Sequence, residues 1–433
     1  MVSQESREEM IERLKREIGK LLEDKLPHGG STIDEIERIT EEIGQEIERK
    51  IEDGVTKQEG RGYVGGLASC ECGGQAVYKK DYAKTWQTMH GRLVITRAYY
   101  HCGKCGKGFA PLDAVLGLDR GATSLRVRDK IARVSAMAPF GRGASELKAL
   151  CGVRVSAKTF ERVAELIGKR IDEEVCAQEK HILSGLAEIP NIAPDRLYVT
   201  IDGATVPMLG SWKESKVGAV YETFVDNNGE TQAKDVEHVA TMGDAEAIGD
   251  RIYTLAFRRG VERAKGVVVL ADGGRWIWKQ AKQNFPKALQ ILDFYHASEH
   301  LGQIARAWHG ANAPKMDKWL QRCKEDFLEG RFDRVLKSIQ AWRPVEAEHV
   351  KLKRDNIGYF KRNRSRMRYD EYRAQGLHIG SGIAESACKS LVQARLKQSG
   401  MRWSLAGAAA MLQLRRLWLD VRDANFARYA AMT

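Results

Sequence analysis

Two aspartates stand where short apolar runs stop. The run Leu197-Tyr-Val-Thr-Ile201 closes on Asp202 and Gly203, and Val267-Val-Val-Leu-Ala271 closes on Asp272 and two glycines. A buried strand ending in an aspartate delivers a carboxylate to the rim of its sheet, where open α/β sheets carry their ligands. A third acid, Glu385, lies in G-S-G-I-A-E-S at the start of a helical pattern. Carboxylates brought together from two strands and a helix hold hard divalent cations, Mg2+ or Mn2+, and leave positions for phosphate and water. Two such ions acidify an attacking oxygen, neutralise the phosphate and take up the leaving oxyanion, which is the chemistry of phosphodiester hydrolysis and strand transfer. In that arrangement Asp202 is the shared ligand, while Asp272 holds one ion and Glu385 the other. Each acid alone has a plainer reading. Asp202-Gly203 suits a hairpin turn, Asp272-Gly-Gly suits a turn or helix cap, and Glu385 has Lys389 four residues on as an ion-pair partner. The conjunction of all three is what points to chemistry.

Other residues extend the pattern. Asp293-Phe-Tyr-His296 ends a further apolar run, with His300 one turn later. His296 at a strand end suits a phosphate oxygen or a neighbouring carboxylate, the plainer reading being a partly buried histidine at a helix start. Upstream of Glu385 lies the densest basic run, Lys351, Lys353, Arg354, Lys361, Arg362, Arg364, Arg366 and Arg368, interleaved with Tyr359, Phe360, Tyr369 and Tyr372. Cations neutralise phosphates and aromatics stack on unpaired bases; a solvated basic helix is the alternative. Arg362, Arg364, Arg366, Arg368 and Lys389 are therefore candidate DNA contacts. Trp403 follows in G-M-R-W-S, either as core or as a stacking platform.

The elements that position these groups follow from periodicity. Leu197–Ile201, Lys216–Phe224 and Glu237–Met242 read as consecutive strands, followed by helix Ala245–Arg259, strand Val267–Leu270, helix Trp276–Phe285 and strand Ala288–Phe294. That order describes a ribonuclease H-like mixed sheet. Residues from Ala297 to about Tyr372 read as a helical insertion, after which Ile383–Gln398 returns a helix to the sheet and Leu405–Val421 closes the fold. Upstream, Cys70 and Cys72 in C-E-C-G-G and Cys102 and Cys105 in C-G-K-C-G flank strand-like residues at Gln75–Tyr78, Thr85–Met89 and Leu93–Tyr100. Two cysteine pairs on glycine-rich turns describe a zinc ribbon with a structural Zn2+. The tight C-x-C pair leaves open a substitute ligand such as His101. Ser145–Leu150, a break at Gly152 and Val155–Ile167 read as helix–turn–helix, with Ser156 as N-cap, Leu147, Leu150, Val153, Phe160 and Val163 between the helices, and Lys158 and Arg162 toward DNA.

The sequence thus predicts a multi-domain α/β protein. Residues 1–60 are helical, 61–115 form the zinc-ribbon-like domain, 116–180 the helix–turn–helix domain, and 181–433 the catalytic domain with its insertion at about 297–372. The 433 residues carry 70 Lys and Arg against 58 Asp and Glu, a formal charge of +12 that favours a polyanionic partner. No apolar run reaches the ~18–20 residues of a membrane span, and the charged N-terminus lacks a signal core, so a cytoplasmic protein with reduced or metal-bound cysteines is expected.

Taken together, C-x-C-G-G, R-A-Y-Y-H-C-G-K-C-G-K-G-F-A-P-L-D, A-D-G-G-R-W-I-W, L-D-F-Y-H-A-S-E-H-L, R-M-R-Y-D-E-Y-R-A-Q-G-L-H-I-G-S-G-I-A-E-S-A-C-K and R-L-K-Q-S-G-M-R-W-S closely resemble bacterial insertion-sequence transposases of the ISKra type. These are similar to the Mutator-like DDE group. The likeness runs from about residue 68 to the C-terminus. It implies a ribonuclease H-like core using Mg2+ or Mn2+, with the D-D-E triad on Asp202, Asp272 and Glu385 and a D-x-x-H signature on Asp293 and His296. It also implies double-stranded DNA as partner, both the element's terminal inverted repeats and target DNA, and a homo-oligomer that pairs two ends. Two other functions fit the same residues: a DNA-binding regulator, or a domesticated relative, in which the acids are idle, and a host nuclease that cuts without joining.

Overall fold

The computed structural model describes residues 6–118, 121–310, 312–421 and 426–431. The chain divides into two compact units, Met1–Ile167 with Asn425–Thr433, and Gly168–Ala424, the boundary falling inside one long helix.

The first unit begins with helices α1 (Arg7–Lys25) and α2 (Ile33–Gln58), each started by a capping box, Ser6 with Glu9 and Thr32 with Glu35. Each such cap contributes about 0.5–2 kcal/mol. Met10 and Leu14 of α1 are buried against Gly54 of α2, and Lys50 pairs with Glu17 at 2.9 Å. Strands β1 (Leu67–Ser69), β2 (Gln75–Thr88), β3 (Gly91–Cys102) and β4 (Gly108–Phe109) form an antiparallel sheet in chain order. The two short strands expected at Gln75–Tyr78 and Thr85–Met89 are parts of one strand, bulged between Tyr78 and Lys80. Helices α3 (Pro111–Val115), α4 (Leu125–Met137) and α5 (Phe140–Cys151) lead to α6 (Ala157–Leu183). The Ser156 hydroxyl accepts from the Thr159 amide at 3.1 Å, as an N-cap does. Leu147, Val153, Phe160 and Val163 are buried at this join; Leu150, expected among them, is 78% exposed at the end of α5.

The second unit is built on a mixed sheet of β5 (Leu197–Met208), β6 (Ser211–Val225), β7 (Thr231–Thr241), β8 (Val267–Ala271) and β9 (Leu289–Leu292), in the order β7-β6-β5-β8-β9. The first three are antiparallel; β8 and β9 continue parallel to β5. The apolar runs are buried on both faces, as parallel strands require. Helices α7 (Ala245–Arg258) and α8 (Arg275–Asn284) provide the crossovers.

After β9 come α9 (Phe294–His309), α10 (Ala313–Leu328), α11 (Phe332–Ala341), α12 (Ala347–Asn363) and α13 (Tyr369–Ala374), a helical stretch over the residues read from sequence as an insertion. It shares one apolar core with the sheet: Trp319, Phe327, Tyr359, Phe360 and Tyr369 belong to the same buried cluster as Val199, Leu270 and Ile291. Each of these large side chains contributes on the order of 1.5–3 kcal/mol by leaving water, so the insertion is fixed to the sheet rather than tethered. The chain returns through α14 (Gly382–Ala387), a π-helical turn Cys388–Gln393, α15 (Ala394–Leu396), α16 (Leu405–Asp420) and, within the first unit, α17 (Phe426–Ala431). No helix of the described residues is long and apolar enough to cross a membrane.

Candidate functional site

Strand register explains why the aspartates meet. Leu197, Tyr198 and Val199 pair with Val267, Val268 and Val269, and Ala271 pairs with Leu292. Asp202, Asp272 and Asp293 therefore emerge from three adjacent parallel strands at the same carboxyl edge. Asp202-Gly203 is no turn: β5 continues to Met208, and the hairpin turns after it.

Asp202 is half-buried. Its Oδ1 accepts from the Gly203 amide at 2.6 Å and its Oδ2 from the Cys388 thiol at 3.4 Å. Burial pushes its carboxyl above the usual range and the charge of Asp272 adds to this, while the Gly203 amide, Cys388 and His296 act the other way. Oδ1 of Asp272 accepts from the Gly274 amide at 2.8 Å. Two partly desolvated carboxylates that repel each other are what a divalent cation relieves, and hard oxygens are the right donors for Mg2+ or Mn2+.

Glu385 lies beside this pair without joining it. Its carboxylate is largely exposed and bonded to Lys389 at 2.6 Å, the plainer of the two sequence readings. Among the described residues, the only group of three or more His, Cys, Asp or Glu ligand atoms within 4.8 Å of one another is a set of cysteines, so the three acids are not converged in this conformation. The helix is nevertheless anchored at the pair. Cys388, on the same face three residues after Glu385, touches Asp202, and the helix widens there into its π-helical turn, a deformation common at functional sites. Burial and the nearby acids push the Cys388 thiol up, so it remains a donor.

Asp293 is a fixture of the edge that types and spacing half-announced. It is 7% exposed, and its Oδ1 caps α9 by accepting the Tyr295 and His296 amides. Its Oδ2 accepts the amide and hydroxyl of Ser381, in the Gly-Ser-Gly segment just before α14. Asp293 thus ties the segment just before the Glu385 helix to the strand ends. His296 sits half-exposed on the first turn of α9, with Nδ1 3.5 Å from Glu299. Behind it His300 stacks on Tyr359, ring centroids 3.9 Å apart, and His300 Nδ1 meets Asn356 Oδ1 at 2.6 Å. Burial pushes the His300 pKa down and the Tyr359 pKa up. On the other flank Lys216 pairs with Glu214 at 2.8 Å and lies 5.1 Å from the Trp276 ring. Sequence reasoning missed Cys388, Glu214 and Lys216; the three-residue spacing of Glu385 and Cys388 was the one available signal.

The candidate DNA contacts divide. Arg362 is exposed and lines a cavity of about 830 Å³ beside Tyr359, together with Arg306 and Lys351. Arg364 pairs with Asp333 and Arg368 with Glu371, both at the surface. Arg366 is turned inward, over the Trp278 ring and bonded to Gln290. Lys389 is taken by Glu385. Tyr359, Phe360, Tyr369 and Tyr372 are all core residues, which removes them as base-stacking platforms. So is Trp403, 6% exposed with its Nε1 donating to the Leu396 carbonyl. Lys158 and Arg162 are exposed near the start of α6, Lys158 paired with Glu161 at 3.0 Å.

The cysteine group is Cys70, Cys72, Cys102 and Cys105, with ligand atoms all within 4.8 Å of one another, and it could bind a metal such as zinc. Cys70 and Cys105 sulfurs are 3.7 Å apart, Cys72 and Cys102 sulfurs 3.6 Å. The tight C-x-C pair closes without His101, on a turn in which the Cys70 amide donates to the Gly74 carbonyl and the Gly73 amide donates to the Cys70 carbonyl. Amides of Cys105 and Lys104 pull the Cys102 thiol down to about 7, toward the thiolate a metal takes. Four sulfurs leave no position for substrate, so a metal here is structural.

A family model described as an uncharacterised protein family, UPF0236, matches residues 74–430, from the second strand of the cysteine-bearing sheet through the acids to the last helix. No curated protein matches the chain.

Proposed function

The chain belongs to the uncharacterised protein family UPF0236, and on the placement of its acids we propose that it is a DDE transposase that cleaves and joins DNA at the inverted-repeat ends of an insertion sequence. The observation that carries this reading is the emergence of Asp202 and Asp272 side by side from parallel strands, with the Glu385 helix tied to the same sheet edge through Cys388–Asp202 and Ser381–Asp293. The sheet order, three antiparallel strands continued by two parallel ones, supports a ribonuclease H-like core.

Bound Mg2+ or Mn2+ would supply the acidification of the attacking oxygen and the neutralisation of the phosphate. The chain's own residues hold that chemistry in register. The Gly203 and Gly274 amides fix one oxygen of each aspartate, and the Cys388 thiol steadies the other oxygen of Asp202. Glu385 completes the set by leaving Lys389, a surface pair worth only about 0–1 kcal/mol. His296, next to the pair, donates to a phosphate oxygen when protonated. Arg306, Lys351 and Arg362 line a cavity for phosphates alongside Glu348 and Asp355; in the first unit, Lys158 and Arg162 offer a separate DNA contact through a helix–turn–helix, and zinc on the cysteine set stiffens the ribbon. Pairing of two ends calls for a homo-oligomer on DNA.

One observation favours a second reading, a DNA-binding regulator with idle acids: Glu385 is paired with Lys389 and forms no ligand group with the aspartates. The two separate in a cleavage assay on a labelled element end in Mg2+. The proposal expects nicking and joining that vanish in Asp202→Asn, Asp272→Asn and Glu385→Gln while DNA binding persists. Salt-sensitive binding with no nicking in any condition overturns it.

A further inference from the structure

The chain keeps a buried hydroxyl with nothing to bond to, next to its acids. Tyr359 is 8% exposed, and its hydroxyl oxygen is covered and has no hydrogen-bond partner among the described residues. A phenylalanine would fill the same space without that cost, so an unpaired hydroxyl here asks for an explanation. The ring is held with care. It stacks on His300, His300 is bonded to Asn356 at 2.6 Å, and Asn356 donates to the Leu352 carbonyl at 2.9 Å. That chain presses the phenol edge against Gly273, where a Cβ would lie 2.5 Å from the hydroxyl oxygen and 2.1 Å from Cε2. Gly273 directly follows Asp272.

Burial, and then the charges of Asp272 and Asp293, push this phenol up, and its edge lies against the residue that follows Asp272. Asp293 has no oxygen to spare: Oδ1 takes the Tyr295 and His296 amides, and Oδ2 takes Ser381. Asp272 gives Oδ1 to the Gly274 amide, while its Oδ2 accepts from no described residue. Of these two carboxylates, Asp272 is therefore the one with an oxygen left for the Tyr359 hydroxyl.

We propose that Tyr359 is a positioning residue for Asp272: its hydroxyl donates to the Asp272 carboxylate when that group takes a divalent cation. The proposal rests on the reading of Asp272 as a cation ligand. The hydroxyl has no partner among the described residues, and a cation held by Asp272 would place its carboxylate within the hydroxyl's reach. Partners behind a ligating carboxylate change metal affinity by about 10–100-fold.

The experiment is a Mn2+ titration of the full chain, zinc-loaded, with free Mn2+ counted by electron paramagnetic resonance. Wild type, Tyr359→Phe and Asp272→Asn are compared, each also melted without Mn2+. Tyr359→Phe is expected to melt at or above the wild-type temperature without Mn2+ and to bind Mn2+ about 10–100-fold more weakly. Asp272→Asn is expected to lose the site. A lower metal-free melting temperature in Tyr359→Phe would mean that the hydroxyl already has a structural partner, and would overturn the proposal. Unchanged Mn2+ affinity in Tyr359→Phe, with binding lost in Asp272→Asn, overturns the proposal and leaves the acid site standing. Binding that persists in Asp272→Asn removes both.

Discussion

Gly273→Ala is the substitution that most sharply separates this packing from a generic glycine turn. The added Cβ would stand 2.1 Å from Tyr359 Cε2 and 2.5 Å from its Cζ and hydroxyl oxygen, where ordinary contact begins at 3.4 Å. The ring has no retreat: it is 8% exposed, with His300 stacked at 3.9 Å and His300 fixed by Asn356. The turn must give by more than about 1 Å, and overpacking of that kind costs about 1–3 kcal/mol. In a unit of this size that is about 2–4 °C of Tm per kcal/mol. The same turn carries Asp272, and a displacement of about 1 Å at a reacting group costs on the order of 100-fold in rate. Gly380→Ala is the control. Its Cβ meets Tyr295 Cε2 at 2.4 Å, a similar nominal clash, but Tyr295 is 67% exposed and swings into solvent. Its expected cost is within about 0.5 kcal/mol. Thermal unfolding and Mg2+-dependent nicking by the full chain read both effects. A Gly273→Ala protein that melts and cuts like wild type, or a Gly380→Ala protein equally damaged, refutes the reasoning.

Three further outcomes follow from the geometry. Cys102→Ser should lower zinc content and speed amide exchange across Leu67–Phe109; unchanged zinc by atomic emission would remove Cys102 from the metal set. Asp202 has a raised native pKa, so its stabilisation of the metal-free fold is present below the unfolded value of about 3.9 and is lost as pH rises through the native one. Asp202→Asn should therefore melt above wild type at neutral pH without metal and flatten the acid side of the profile; superimposable Tm–pH curves would contradict this. Lys389→Ala should leave Tm nearly unchanged, since the pair is exposed, and lower the Mn2+ concentration needed for half-saturation by freeing Glu385; a raised requirement would show Lys389 supporting the site.

How far the sequence reaches depends on which force sets each residue. Val267–Ala271 and Leu197–Ile201 were legible because strands buried on both faces read as unbroken apolar runs, and their ends mark the sheet edge. β2 was not legible as one strand, since much of Gln75–Thr88 is solvent-facing and its Lys79-Lys80-Asp81 stretch imitates a loop. The basic run misled for a related reason. Its charges look like one surface, yet Tyr359, Phe360, Tyr369 and Tyr372 between them face the core, and Arg366 follows them inward onto Trp278. The strand acids were found by position, but the Glu385 rotamer was beyond reach, because a flexible side chain chooses Lys389 or the aspartates by local electrostatics alone. Asp293, Cys388 and Tyr359 make their contacts across long stretches of chain, His300 to Tyr359, Asp293 to Ser381 and Asp202 to Cys388, visible only once the fold is formed.

The most direct test of the acid site is anomalous scattering from crystals of the full chain grown with Mn2+. The account predicts a peak between the Asp202 and Asp272 carboxylates, with Glu385 turned from Lys389 to within ligand distance, about 2.0–2.3 Å. Density for Mn2+ elsewhere, with Glu385 still bonded to Lys389 and the aspartates bare, would contradict it.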